Sequence, residues 1–268
     1  MSNILVRAIT GFFFVSFIIV ATILGDWYFQ VLFGIVAILS LNEFYSLFKN
    51  SNVKPNISQG IIVGALLYLL SLYSIYQNEV SVYLAGLLVI LLPLVGFAEL
   101  YRKKTTPFQN MGVTLVGLFY IILPFVLINV MRLSTDDFWT VLSIFILTWC
   151  SDTFAYLVGR KIGKRKLFER ISPNKSWEGF IGGLIFSVIA GLVIAYFTDD
   201  SYVKYIVYGI VIASFGTIGD LVESMLKRSL NIKDSGTILP GHGGLLDRFD
   251  AVIFTIPVIF FVELFFFV

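Results

Sequence analysis

The densest run of reactive side chains lies between Ser224 and Asp250. Ser224, Lys227 and Arg228 are followed by Lys233, Asp234 and Gly236, then by Pro240, Gly241, His242, Gly243, Gly244, Asp247, Arg248 and Asp250. His242 is the single histidine of the chain. Upstream, Asp220 and Glu223 join Ser224 and Lys227 at i, i+3, i+4 and i+7, which places all four on one helix face. Asp247 and Asp250, at i and i+3 where the next apolar run begins, can point one way, and Asp220 and Asp247 are expected to face each other across the ends of two helices. Carboxylates without neighbouring Cys or paired His are hard oxygen donors, which suit Mg²⁺, an ion that keeps waters and bridges substrate phosphates. Lys227, Arg228, Lys233 and Arg248 supply charge for phosphates, and the glycine loop supplies backbone N–H groups that can approach them. Carboxylates, cations and a glycine loop together point to phosphoryl or nucleotidyl transfer.

Two more polar elements precede this stretch. Asp152 sits inside an apolar run, where an acid costs on the order of 2.5–3.5 kcal/mol on insertion scales and so faces a partner or water. A structural carboxylate bonded to a neighbouring helix and a functional one both remain open for it. Between Gly159 and Gly183 a basic run ends in Ser172-Pro173-Asn174-Lys175-Ser176, followed by Glu178 and Gly179, Gly182 and Gly183. Most of that charge reads as a solvated loop near anionic headgroups. Ser172 to Ser176 reads as a helix cap that could also hold an anion. The three glycines read chiefly as close helix packing. Gly159 to Arg165 has the wrong spacing for a P-loop, with no Ser or Thr after the Lys, and no GxGxxG occurs.

These residues need a scaffold, and composition defines it. Of 268 residues, 58% are hydrophobic and 13% charged, and the mean hydropathy is +0.91. The apolar residues fall in runs of roughly 18–25, the length that crosses a bilayer as a helix. The expected fold is an all-α polytopic membrane protein of about nine transmembrane helices with no separate soluble domain. The spans fall near 4–24, 27–48, 59–77, 81–101, 110–131, 139–159, 178–197, 203–228 and 250–268. Asn42 and Glu43 interrupt the second. Pro93, Pro124 and Pro257 lie within spans and are expected to kink them. The first span is longer than a signal-peptide core and lacks a small-x-small cleavage site, so it reads as a retained helix. Residues 1–138 are expected to form a helical scaffold with a possible dimerisation role, and residues 139–268 a half carrying a cytoplasmic catalytic cleft. Under the nine-span count, all 19 Lys and Arg except Arg132 and Lys204 fall on one side. The other side carries Asp26, Glu79, Asp136, Asp137, Asp199 and Asp200. The positive-inside rule makes the basic side cytoplasmic. One cysteine and one histidine exclude an intrachain disulfide and Cys- or paired-His zinc sites.

With these residues in hand, the sequence closely resembles the phosphatidate cytidylyltransferase, or CDP-diacylglycerol synthase, family. The resemblance is carried by Ser224, Lys227, Arg228, Lys233, Asp234, Gly236, Pro240, His242, Gly243, Gly244, Asp247, Arg248 and Asp250, with Asp152 and Ser172 to Ser176 as further matching features. It covers residues 145–268 well, while the N-terminal half matches only in being several apolar spans. It implies that CMP passes from CTP to phosphatidate, giving CDP-diacylglycerol and pyrophosphate, with Mg²⁺ and an open question of a second cation. It also implies a homodimer in the cell (inner) membrane, a cytoplasmic site open to lipid, and no nucleic-acid partner.

On this reading Asp220 and Asp247 hold the metal, with Asp152, Glu223 and Asp250 as further candidates. Lys227, Arg228 and Arg248 act on phosphates during transfer. Ser172, Asn174, Lys175, Ser224, Lys233, Asp234, Gly243 and Gly244 bind substrate. His242 either steadies the leaving pyrophosphate or braces its loop. Asp234 and Asp250 are either ligands or supports for the ligands. A secondary transporter is the main rival class, but the charges gather at one face and no paired broken helices recur in two halves. A CTP-dependent polyprenol kinase is the nearer rival. A non-catalytic scaffold would need no such carboxylates.

Overall fold

A computed structural model describes residues 3–77, 80–134, 137–236, 238–239, 241 and 243–267. Among the described residues are nine helices: α1 (Asn3–Leu24), α2 (Asp26–Ser46), α3 (Ile57–Tyr76), α4 (Val80–Tyr101), α5 (Pro107–Ser134), α6 (Trp139–Ile162), α7 (Trp177–Thr198), α8 (Tyr202–Ser229) and α9 (Leu246–Phe266). All but α4 contain a window long and apolar enough to cross a membrane; α4 shows a shorter apolar stretch, Val89–Tyr101. The chain is an all-α polytopic membrane protein, and each expected span coincides with a helix. The physical reason is general: inside hydrocarbon every backbone N–H and C=O must be satisfied within the segment, and a helix does this.

Two details depart from the expected pattern. Within α5 the backbone widens to a π-helical turn over Leu118–Ile122, immediately before Pro124. Proline lacks the N–H and crowds the carbonyl four residues back, and a π-turn absorbs that locally. The long basic loop after α6 contains a hairpin, β1 (Lys166–Phe168) antiparallel to β2 (Ser172–Ser176), with Lys166 opposite Ser176 and Phe168 opposite Ser172. The hairpin is tied to the start of α7. Trp177 N–H donates to Arg165 O at 2.9 Å, and Glu178 accepts from Lys164 N–H at 3.0 Å and Arg165 N–H at 3.2 Å.

The chain divides into two compact units: Met1–Ser134 with Leu230–Asp247, and Thr135–Ser229 with Arg248–Val268. In the first unit Phe29, Phe33, Leu41 and Phe125 form the buried core. Tyr45 lies against Gly60 and Gly117, and its hydroxyl donates to Thr114 O at 2.7 Å. At the basic end Asn110 accepts from Lys54 N–H at 2.7 Å and donates to Glu99 at 2.8 Å. Arg132, one of the two basic residues on the acidic side, donates to Thr22 O at 3.0 Å, where α1 ends.

The second unit relies on small residues, because lipid offers no hydrophobic gain for helix association and close packing must supply it. A methyl group at Gly179 would lie 2.7 Å from Ala155 O, one at Gly182 2.7 Å from Val158, and one at Gly183 2.8 Å from Ser151 O. Thus α6 and α7 touch backbone to backbone. Likewise α8 meets α9 at Gly219, where a methyl group would lie 2.6 Å from Asp250 O.

Candidate functional site

The glycine contacts of the second unit determine where its acids stand. The α6–α7 contact runs along the half of α6 that begins at Ser151 and Asp152 and ends in Arg160 and Lys161. The contact between Gly219 and the Asp250 carbonyl sets Asp220 and Asp250 next to each other on α8 and α9. Asp152 lies within electrostatic reach of Lys175, Asp220 and Arg248, and Asp250 within reach of Asp220, Glu223 and Asp152. Lys175, the residue before the α7 cap, places Nζ 2.6 Å from Asp220 Oδ2. Ser176 is that cap: its Oγ accepts from Gly179 N–H at 3.1 Å, so the expected capping role falls to the last residue of the Ser172–Ser176 segment while the rest is strand.

The helical spacing of α8 appears as bonds. Ser224 Oγ donates to Asp220 Oδ1 at 3.3 Å and Lys227 Nζ to Glu223 Oε2 at 2.6 Å. Glu223 is 1% exposed and Lys227 8%, whereas Asp220 and Asp250 are half-buried and Asp152 is exposed. The second unit therefore brings together Asp152, Lys175, Asp220, Glu223, Ser224, Lys227 and Asp250. Arg228, Arg248 and Asn174 are exposed and Ser172 is half-buried.

The remaining candidates belong to the first unit. The described ones lie on the connection that follows α8 and on the first turn of α9. Leu239 N–H donates to Gly243 O at 3.0 Å, and Gly241 and Gly243 take φ of 76° and 84°, the left-handed region that glycine reaches without cost. Asp247 Oδ2 accepts from Gly244 N–H at 2.9 Å and from Ser235 N–H at 3.1 Å. Gly244 N–H is thus engaged by Asp247 rather than turned outward. Lys233 and Asp234 are exposed. His242 lies outside the described residues.

One side chain here escaped the sequence reading. Glu43, on α2, accepts from Leu246 N–H at 2.8 Å and is 4% exposed. Its signal was available: an acid interrupting an apolar span, the same signal that drew attention to Asp152.

The donor set fits a hard divalent cation. In the second unit the donors are carboxylate oxygens, and the Lys175 ammonium already sits against Asp220 as a cation would. Among the described residues no three Asp, Glu, His or Cys side chains are close enough to hold a metal on their own. Such an ion would draw further oxygens from water or from a phosphate-bearing ligand, as Mg²⁺ commonly does. Acids, ammonium groups and hydroxyls at the basic end of a membrane-embedded unit can gather two anionic groups that would otherwise repel.

Comparisons with known proteins identify the family. Residues 5–266 match the Cytidylyltransferase family. A phosphatidate cytidylyltransferase of Staphylococcus haemolyticus (strain JCSC1435) is 34% identical over 258 residues, covering 95% of this chain and 96% of the relative. One from Bacillus subtilis (strain 168) is 32% identical over 259 residues, again 95% and 96%. One from Staphylococcus aureus (strain COL) is 50% identical over 121 residues, 44% of this chain and 46% of the relative.

Proposed function

The chain belongs to the cytidylyltransferase family, and from that premise we propose that it transfers CMP from CTP to phosphatidate, yielding CDP-diacylglycerol and pyrophosphate. The observation that carries this reading is the acid–ammonium cluster of Asp152, Lys175, Asp220, Glu223, Lys227 and Asp250 at the basic end of a membrane-spanning unit. One phosphatidate oxygen forms a bond to the α-phosphorus of CTP, and the bond from that phosphorus to the β-phosphate oxygen breaks with its electrons on pyrophosphate. Phosphatidate carries a phosphate monoester, largely ionised at neutral pH, so the enzyme needs no strong base. Its task is to bring one polyanion onto another.

Asp220 and Asp247 are the proposed metal carboxylates, with Asp152, Glu223 and Asp250 as further candidates; the motif and the all-oxygen donor set support this. A bound Mg²⁺ would supply charge neutralisation for the triphosphate and the leaving pyrophosphate. Lys175 pairs with Asp220 and can move to a phosphate when the acid takes up another cation. Lys227 is held by Glu223, which fixes its ammonium on the shared face of α8. Arg228, Lys233 and Arg248 add positive charge for the two substrates, and Ser172, Asn174, Ser224, Asp234, Gly243 and Gly244 are proposed substrate contacts. His242 is assigned either to the pyrophosphate or to the loop. Lysine, arginine and carboxylate groups act most strongly where water is scarce. The charge asymmetry of the loops supports a cytoplasmic face for the site, and the family resemblance supports a homodimer in the cell membrane.

The test is a labelled-CTP assay on the purified chain. Phosphatidate with Mg²⁺ is expected to yield pyrophosphate and a CDP-lipid, and chelation of divalent cations to stop both. Phosphorylation of a prenol with no pyrophosphate released, or no turnover with either acceptor, would reject the reading.

A further inference from the structure

Glu43 has no part in the transfer as derived so far, yet it is a buried acid of the first unit, 4% exposed. An acid buried within a membrane span is costly and persists where something uses it. Glu43 Oε2 accepts from Leu246 N–H at 2.8 Å, the first residue of α9 and the neighbour of Asp247. Helix N-termini present unpartnered N–H groups and a partial positive charge, so Glu43 acts as a cap supplied from the opposite end of the chain. Its surroundings are shaped to it. A methyl group on Gly236 would collide with Glu43 Oε1, and one on Gly244 would lie 2.8 Å from Oε2. The same loop is gripped from within by Asp247, through Ser235 N–H and Gly244 N–H. The two carboxylates lie within electrostatic reach of each other. Between them they hold the amides of Ser235, Gly244 and Leu246.

We propose that Glu43 is a positioning residue for the transfer reaction: from α2 it clamps the segments around Ser235, Gly244 and Leu246 and sets the carboxylate of Asp247. The inference rests on the assignment of Asp247 to the site and gives the N-terminal helices a direct part in its geometry. The absence of a side chain at Gly236 follows from it, because it leaves room for the Glu43 carboxylate, whereas at Gly244 that room is shared with the Ser235 hydroxyl.

Two measurements on the full-length protein test it. The first needs no turnover: hydrogen exchange of metal-free protein. In Glu43→Gln the amides of Ser235, Gly244 and Leu246 should exchange at least tenfold faster while those of α3 keep their protection. Unchanged exchange at those three amides overturns the clamp, whether or not the chain uses CTP and phosphatidate. The second is kinetic. Glu43→Gln should lower kcat at least thirtyfold and raise the Mg²⁺ concentration for half-maximal rate at least fivefold. A variant that only unfolds earlier, with kcat and Mg²⁺ dependence within twofold of wild type, reduces Glu43 to a structural residue and overturns the proposal. Should Glu43→Gln fail to fold, the pair Gly236→Ala and Glu43→Asp/Gly236→Ala decides. The shorter acid vacates the place of the added methyl, so the double variant should recover at least tenfold of the activity lost in the single one. No recovery overturns it.

Discussion

The second unit carries two clusters of charge at opposite ends, built on opposite principles. At the acidic end Lys204 Nζ lies 2.9 Å from Glu263 Oε1, 3.5 Å from Asp200 Oδ2 and 3.2 Å from Thr140 Oγ1. Tyr208 donates to the other Glu263 oxygen at 2.6 Å. Lys204 and Glu263 are each 7% exposed, so this cluster is closed, with its partners internal. At the basic end the Lys175–Asp220 pair is as short, 2.6 Å, but its side chains stay 28% and 37% exposed. Asp152 and Asp250 lie within electrostatic reach of Asp220. A closed network stabilises one structure; a cluster of half-exposed acids that repel one another is improved by an arriving cation. Intramembrane charge alone therefore does not mark a functional site; the proposed site rests on charge left open to exchange partners.

The sharpest way to break this contrast is to neutralise one acid at each end. Asp220→Asn is expected to lower kcat/KM by about 10³, the scale of losing a principal electrostatic element of a transfer site. Its unfolding free energy should change by less than about 1 kcal/mol, because the pair it loses is partly solvated. Glu263→Gln should do the reverse: a loss of about 3 kcal/mol, since it takes the nearer of two carboxylates from the buried Lys204 ammonium and leaves only the partly exposed Asp200, with kcat kept within about twofold. Turnover and thermal unfolding of both variants in one detergent provide the comparison. Equal activity losses at the two ends would erase the distinction.

The two ends also differed in how far the sequence announced them. The nine helices were legible because bilayer thickness fixes span length and lipid forbids other backbone forms. The Asp220–Ser224 and Glu223–Lys227 bonds were legible because i, i+4 neighbours on a helix meet. The Lys204–Glu263 pair was not, since its residues lie 59 positions apart on two helices and Lys204 appeared only as an exception to the charge bias. The hairpin Lys166–Ser176 was not legible, its basic part reading as a solvated loop and Ser172–Ser176 as a helix cap, because its short strands are basic, contain Pro173, and are held by Glu178 and Trp177 rather than by their own pattern. Glu43 stood out as an interruption of α2, yet its partner Leu246 lies 203 positions away, a distance no local spacing rule reaches.

A smaller effect tests whether the open end depends on its backbone contacts. Gly219→Ala places a methyl group 2.6 Å from Asp250 O, so α8 and α9 must separate beside Asp220. Overpacking of this kind costs about 1–3 kcal/mol. The expected readout is a fall in kcat together with a lower unfolding temperature. Gly216→Ala, one turn away and in roomier surroundings with Ala251 Cβ at 3.4 Å, should leave both nearly unchanged. If the two alanines behave alike, helix separation at Asp250 is not what sets the site.

The mildest change acts on the α7 cap. Ser176 Oγ accepts from Gly179 N–H at 3.1 Å, and Ser→Ala at such a position costs about 1 kcal/mol, while Gly costs only a few tenths. Unfolding temperatures should therefore rank wild type, then Ser176→Gly, then Ser176→Ala. Because Lys175 is the preceding residue, a loosened cap also loosens the ammonium at Asp220, and KM for CTP should rise in the same order with kcat little changed. A larger acceptor at this position would not substitute: a methyl group on Gly163 would lie 2.6 Å from Ser176 Oγ and one on Gly159 3.2 Å away, so the hydroxyl already occupies the space where α6 ends. Ser176→Asp should thus lower stability despite offering a better acceptor to the helix N-terminus. An Asp variant more stable than wild type would mean that capping, and not the tight α6–α7 contact, limits how firmly Lys175 is held.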